Sequence, residues 1–575
     1  MKRNAARAIW RRASPRRRIL RARPTAIVTP VFAAVAMTVA SVANAFEFDT
    51  GNEDLKARWD NTLKYSVAQR LGRPSGALTA DANLDDGDRN FRQYGLISNR
   101  VDLYSEFDLR YRDVGMRVSG AAWYDQVYNR PNDNNSPGTA NAASVSSNHF
   151  PDATERLHGR KADLLDLFAF GKAEIGDMSA TGRLGKHTLL YGESLFFGNN
   201  GIAAAQSPVD LIKLLSVPNT PFKEVIRPVP QISGQLQLSP NVAVGGYYQA
   251  SWERDRLPGV GSYFSQVDIL DAGGERILAG PNAIIPGGSP FYLARVGDLK
   301  AKNSGQGGVQ LRLRPEGGDM EFGFYAARFH AKSPVVYAFP GAGFNPVSGQ
   351  VGAYQLVFPQ DIKVYGASVT TTLADVNVSA EASIRRNMPL VPHGGSVAVP
   401  VGVSADNAGN PLYPVGGTAH AQLSWVALLA PSALWQGGSF LGEIAWNRRL
   451  SVDGNAATLD PNASRDATAI RMVFQPSYFQ VFDGVDLSVP IGIGYGLSGK
   501  SSVIHPGFGA RHAGDLSIGV LGDYLKVWKF SLNYTHYFGS ADGVLTPANA
   551  AVQNYSYAQS LRDRDFVSLS ISRTF

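Results

Sequence analysis

Few side chains in this 575-residue chain are spaced for catalysis or metal binding. Thiolate metal sites, Fe–S clusters and disulfides are excluded, because there is no cysteine. The nine histidines are scattered, with no HExxH or comparable ligand pair. Serine and histidine are too numerous for one nucleophile–base pair to stand out. GYGLSGKS, Gly494 to Ser501, spells a phosphate-binding loop, but a helix should open at the lysine, and SSVIHPGFG follows instead. It reads as a strand running into an external loop. DANLDDGDRN, Asp81 to Asn90, gathers carboxylates around Gly87 as a calcium loop does. Its glycine comes one position late and the terminal acid is missing, so a solvated turn is the expected state. No catalytic residue, metal or cofactor is expected.

What remains is selection of a solute. Residues 191–230, YGESLFFGNNGIAAAQSPVDLIKLLSVPNTPFKEVIRPVP, carry Leu195, Phe196, Phe197, Ile202, Leu211, Leu214 and Phe222, too apolar for a loop bathed in water. The same stretch holds Glu193, Asp210, Lys213, Lys223, Glu224 and Arg227. Folded into an aqueous lumen it would narrow the passage, and those charges would set selectivity; the alternative is an external flap packed on other loops. Tyr104, Glu106, Arg110 and Arg312 would line the lumen wall.

These residues need elements to position them. In RVDLYSEFDLRYRDVGMRVSGAAWYDQVYN, Val101, Leu103, Phe107 and Leu109 alternate with Asp102, Tyr104, Glu106, Asp108 and Arg110. A turn at Asp113-Val114-Gly115 leads into a second alternating segment. The pattern recurs to give about eighteen segments, with 14–16 as the alternative count. Short turns alternate with long polar loops along the chain. The fold class this predicts is all-β, a transmembrane antiparallel up-and-down β-barrel with short periplasmic turns and long external loops. A soluble propeller or sandwich would share the alternation. The wet face, which mixes Arg, Asp, Glu and Tyr along whole strands, favours lipid on the other side.

The ends of the chain agree. Ten Lys and Arg residues fall within residues 1–23, followed by an apolar run ending in Ala43-Asn44-Ala45. Residues 1–45 therefore read as a cleaved signal peptide, cut between Ala45 and Phe46, and residues 46–575 as one barrel domain. The excess charge of +7 leaves with the leader, so no nucleic-acid partner is indicated. FVSLSISRTF, residues 566–575, places Val567, Leu569, Ile571 and Phe575 on one face and serines on the other. A terminal aromatic strand of this kind suits the barrel-assembly machinery, although Arg573 stands where an aromatic is usual.

Several stretches together resemble the bacterial family DUF1302. They are FEFDTGNEDLKARWDNTLKYS, NLDDGDRNF, RLGKHTLLYGESLFFGNNGI with PVDLIKL, FPQDIKVYGASVTTTL with IRRNMPL, and FQVFDGVDLSVPIGIGYGLSG. Lys186-His187 and Tyr191 depart from the family's commoner Arg-Gln and Trp. The resemblance implies an outer-membrane barrel associated with hydrophobic or aromatic carbon sources, and no particular substrate. The expected function is a non-enzymatic outer-membrane channel for passive passage of small hydrophobic or aromatic organic compounds. Its expected partners are outer-membrane lipid, the assembly machinery and the solute. A surface-binding or adhesion protein anchored by the barrel, or a barrel-embedded lipid hydrolase, is the alternative.

Overall fold

The computed structural model describes residues 46–575 except 218–219 and 505–507, so the leader read in residues 1–45 lies outside the described residues. Among the described residues, eighteen strands close into one antiparallel barrel whose neighbours in space are neighbours in sequence. They are β1 (Leu55–Arg70), β2 (Leu96–Tyr111), β3 (Val114–Asp125), β4 (Arg160–Ile175), β5 (Met178–His187) and β6 (Val229–Ser239). β7 (Val242–Gln249), β8 (Gln306–Leu313), β9 (Glu321–Phe329), β10 (Ile362–Leu373), β11 (Val376–Pro389) and β12 (Val415–Leu428) follow. The circuit ends with β13 (Gly437–Arg449), β14 (Asp466–Phe482), β15 (Val485–Ser488 and Ile491–Gly499), β16 (Gly514–Tyr524), β17 (Trp528–Phe538) and β18 (Phe566–Thr574). β15 breaks at Val489-Pro490, where proline has no N–H to give a ladder.

Closure runs from Thr62↔Thr574 to Arg70↔Phe566. Asn61 and Phe575 exchange two further backbone bonds, each 2.8 Å. Below that point the free edge of β1 is taken by Phe46–Phe48, paired with Ala57–Trp59. Among the described residues the seam edge of β1 is thus paired along residues 57–59 and 61–70, as hydrocarbon requires.

The period of two decides which side faces what. Leu103, Leu184, Ile232, Val309, Leu423, Leu532 and Leu569 point outward and are exposed, while Glu106, Ser233, Glu381, Glu443, Ser568 and Ser570 point inward and are buried. A closed barrel with so apolar an exterior is a bilayer protein, and a barrel of this kind belongs in the bacterial outer membrane. Arg573, on the outer face, lays its guanidinium over Trp528, 5.3 Å from the ring centroid.

The short connections gather at one end, as at Ala374-Asp375, where both residues adopt the left-handed φ that a two-residue hairpin turn requires. The long connections gather at the other end and build a second layer. Five short strands there form a separate sheet in the order Val397–Ala398, Val335–Asn345, Gln350–Val357, Tyr292–Arg295, Arg276–Leu278. Phe91, Tyr128, Phe150, Tyr263, Phe264 and Phe566 pack as a core across the mouth.

That core corrects the expectation for Asp81–Asn90. The stretch is buried, because two arginines distant in sequence draw it in. Arg70 and Arg564 both pair with Asp88 at 2.9 Å. Burial opposes the Asp88 charge, but Arg564 and Arg70 outweigh it and hold the carboxyl below its usual range. Asp86 instead takes neutral donors, Asn134 Nδ2 and the Asn141 N–H, each at 3.2 Å. Burial, with Asp85 beside it, pushes Asp86 up to about 7.

Candidate functional site

Residues 188–228 connect the end of β5 to the start of β6. Their tip is held by the wall formed by β11, β12 and β13. Glu443 accepts from the Ser194 hydroxyl at 3.0 Å and from the backbone N–H groups of Leu195, Phe196 and Phe197. Glu381 accepts from the N–H groups of Glu193 and Ile202 at 2.7 and 2.6 Å. Arg385 donates to the carbonyls of Asn199, Asn200 and Gly201 at 2.8–3.0 Å. The Asn200 side chain bonds His420 Nδ1 at 3.0 Å and Asn447 Nδ2 at 3.3 Å. Irregular backbone lacks ladder partners, so inside a barrel it needs such side chains. The carboxylates take its N–H groups and the arginine its carbonyls. None of these buried charges is left to water alone.

Apolar packing completes the anchor. Ile202 is buried against Tyr191, Tyr247 and Tyr325. Gly366 on β10 makes room for it, since a Cβ there would lie 2.8 Å from Ile202 Cδ1. Phe197 stacks obliquely on Phe508, ring centroids 5.6 Å apart.

The return limb meets the opposite wall by side chains. Asp210 caps the short helix Leu211–Ser216 through the Lys213 N–H at 3.1 Å and pairs with Arg256 at 2.7 Å. Arg256 also reaches Asp163 on β4 at 2.7 Å. Lys213 pairs with Glu224 at 2.8 Å. Arg100, Lys213 and Arg256 all lie within 4.8–5.8 Å of the Trp123 ring, close enough for cation–π attraction. Lys223, half exposed, pairs with Glu106 at 3.1 Å and sits over Tyr104 at 4.3 Å. The Tyr104 hydroxyl donates to Glu106 at 2.5 Å. Leu195, Leu214 and Phe222 remain exposed on the segment.

The expected site residues therefore fall into groups. Lys223, Glu106 and Tyr104 come together. Lys213 with Glu224, and Asp210 with Arg256, are buried struts. Arg227 is spent on the Arg254 carbonyl at 2.6 Å and on Glu253 at 3.5 Å. Glu193 joins the tip through its backbone. Arg110 and Arg312 lie apart, near the short turns, where Arg110 donates to the Arg112 carbonyl and Arg312 pairs with Glu321. The sequence reading missed Glu381, Arg385, His420 and Glu443. Its one available signal was Glu381 and Arg385 sharing a wet face otherwise occupied by serine.

One Ser–His pair exists in the wall: His187 Nε2 lies 2.7 Å from the Ser233 hydroxyl. His187 Nδ1 faces the Gly185 carbonyl at 3.0 Å, not a carboxylate, and both residues are buried. The pair braces β5 against β6.

The family described as "Protein of unknown function (DUF1302)" matches residues 26–575. No curated protein matches the chain. Among solved structures, Acinetobacter baumannii OccAB2 is similar at 9% identity and a TM-score of 0.41, over 90% of this chain and 98% of that one. Pseudomonas aeruginosa OccD3 (OpdP) gives 9% and 0.38, over 94% and 97%. A BenF-like porin from Pseudomonas fluorescens Pf-5 gives 11% and 0.36, over 91% and 99%.

Proposed function

We propose that this chain, which belongs to the DUF1302 family, is a passive outer-membrane channel for small organic solutes that are hydrophobic or aromatic. The observation that carries the reading is the segment 188–228, whose exposed Leu195, Leu214 and Phe222 stand inside a lumen with charged and hydroxylated walls. Such a passage offers a dehydrated foothold to an apolar group while the surrounding polar wall keeps water and ions moving. Residues 191–230 act as the constriction. Lys223 and Glu106 flank Phe222 on the wetted side, so a polar or charged substituent on the solute would be received there. The wall of β16–β18 and β1 presents Ser517, Ser531, Ser568, Ser570 and Ser66 to the lumen, with Ser531 and Ser570 bonded at 2.8 Å. The carriage is by diffusion, residues 1–45 are the leader removed on export, and the assembly machinery takes its cue from Val567, Leu569, Ile571 and Phe575.

Reconstitution into planar bilayers tests the reading. A conductance that small aromatic solutes block in a concentration-dependent way supports it; a barrel that conducts nothing, or conducts without interruption by any such solute, removes it.

A further inference from the structure

The external five-strand sheet carries a surface that the channel reading does not use. Three of its turns leave from one edge. The turn between Arg276–Leu278 and Tyr292–Arg295 starts where Tyr292 pairs with Leu278. The hairpin turn between Val335–Asn345 and Gln350–Val357 lies beside it, because Tyr292 also pairs with Gln350 in parallel. Val397–Ala398 runs parallel to Tyr337–Ala338, which sends residues 399–405 out on the same side. Asn282 Nδ2 bonds the Pro346 carbonyl at 3.1 Å, fastening the first turn to the second. A Cβ at Gly341 would lie 3.9 Å from Val401, which places the third turn against the second.

These turns end in apolar side chains held up to solvent: Val401 88%, Val347 76%, Ile284 57% and Phe344 57% exposed. They also lack charge. Residues 277–294, 333–360 and 387–405 contain no Asp, Glu, Lys or Arg. At the chain's 18% charged content, stretches of that length would carry about a dozen. An outward-facing loop layer this neutral is unsuited to a polyanionic surface or to a partner recognised by salt bridges.

Shape narrows the partner further. The four apolar side chains stand 57–88% exposed on three separate glycine- and proline-rich turns, and a rigid protein partner would need a matching pocket for each. A deformable apolar phase needs none, because each tip can wedge into it and shed its water. We propose that this crown docks the barrel onto dispersed droplets of a neutral, water-insoluble organic phase, through Ile284, Phe344, Val347 and Val401. Docking is independent of conduction, since the crown lies on the external loops and the segment 188–228 inside the barrel.

The test uses the full chain in lipid nanodiscs and hexadecane droplets as the probe. Wild type is expected to float with the droplets. The variant Ile284→Asp/Val347→Asp/Val401→Asp is expected to lose flotation about tenfold or more, with heat-modifiable gel mobility unchanged. A triple Ser variant, which removes apolar surface without adding charge, should lose most of it too. Equal flotation of wild type and both variants overturns the proposal. So does wild-type binding to zwitterionic phosphatidylcholine vesicles as strong as to droplets, or nanodisc self-association that vanishes in the variants, since the occupant is then a membrane or a second copy. Bilayer conductance of the same variants separates the two readings: it should be unaltered whether or not droplets are bound.

Discussion

The two limbs of the segment 188–228 meet two walls by opposite means. At the tip, the wall supplies the charges and the segment supplies mostly backbone: Glu381, Glu443 and Arg385 grip N–H and C=O groups, with Ser194 and Asn200 adding two neutral side chains. On the return limb, ion pairs between side chains join a few backbone bonds, and Lys223 keeps half its surface in water. A backbone grip does not depend on which side chains the tip carries, and buried charge-assisted bonds are strong. A half-exposed ion pair is weak and adjustable. The tip therefore fixes where the segment lies, and on the proposed function the return limb is the part left free to meet a solute.

The contrast can be broken most severely at Glu443. Glu443→Ala strips partners from one hydroxyl and three amides, a local loss of about 3 kcal/mol or more. The open conductance should rise and become noisy while the barrel still forms; a trace as quiet as wild type would mean that the tip is not the anchor.

A smaller effect tests a reference region outside both limbs, the buried mouth. Free aspartate titrates near 4, whereas burial and the neighbouring Asp85 push Asp86 in the mouth up to about 7. The folded mouth thus holds its proton to higher pH than the unfolded chain. Between about pH 4 and 7 its packing should loosen as pH rises, whereas below about pH 4 the Asp88 charge that pairs with Arg564 and Arg70 begins to be lost as well. Protease cleavage within residues 71–95 should increase over that window, and Asp86→Asn should flatten the profile. Cleavage that instead falls with rising pH would reverse the assignment of the proton.

Phe222→Ala sharpens the contrast from the other side. It should leave conductance and thermal stability unchanged and weaken block by an aromatic solute by about fivefold to tenfold. Equal block in the variant would take Phe222 out of the solute path. The smallest effect is expected of Lys223→Gln. An exposed pair of this kind contributes at most about 1 kcal/mol, so stability should not move. Reversal potentials in a salt gradient should shift toward cations, because Glu106 then faces the lumen without its lysine. An unmoved reversal potential would place Lys223 outside the ion path.

The barrel was legible because lipid enforces a period of two over every strand, and all eighteen expected segments coincide with strands. The unusual character of the connection 191–230 was legible in its large apolar side chains, Leu195, Phe196, Phe197, Ile202, Leu211, Leu214 and Phe222. Its anchors were not. Glu443 lies 249 residues from Ser194, and Glu381 lies 179 from Ile202. On a strand's wet face, a glutamate that will grip backbone looks like one that will face water. The same limit misread Asp81–Asn90: its burial depends on Arg564, 476 residues from Asp88, and nothing local announces that partner.

Pinning the tip also changes the polymer statistics of the connection. From His187 to Val229 it is a loop of about 41 residues, and holding residues 193–202 divides it into a lead of about 5 and a tail of about 26. Closing two loops in place of one costs only about 1 kcal/mol of chain entropy beyond a fixed term, less than the grip of Glu443 alone. The return limb, held by its own pairs Asp210–Arg256 and Lys213–Glu224, is then a second closed loop, and its exposed side chains Leu214 and Phe222 can change rotamer without the tip moving.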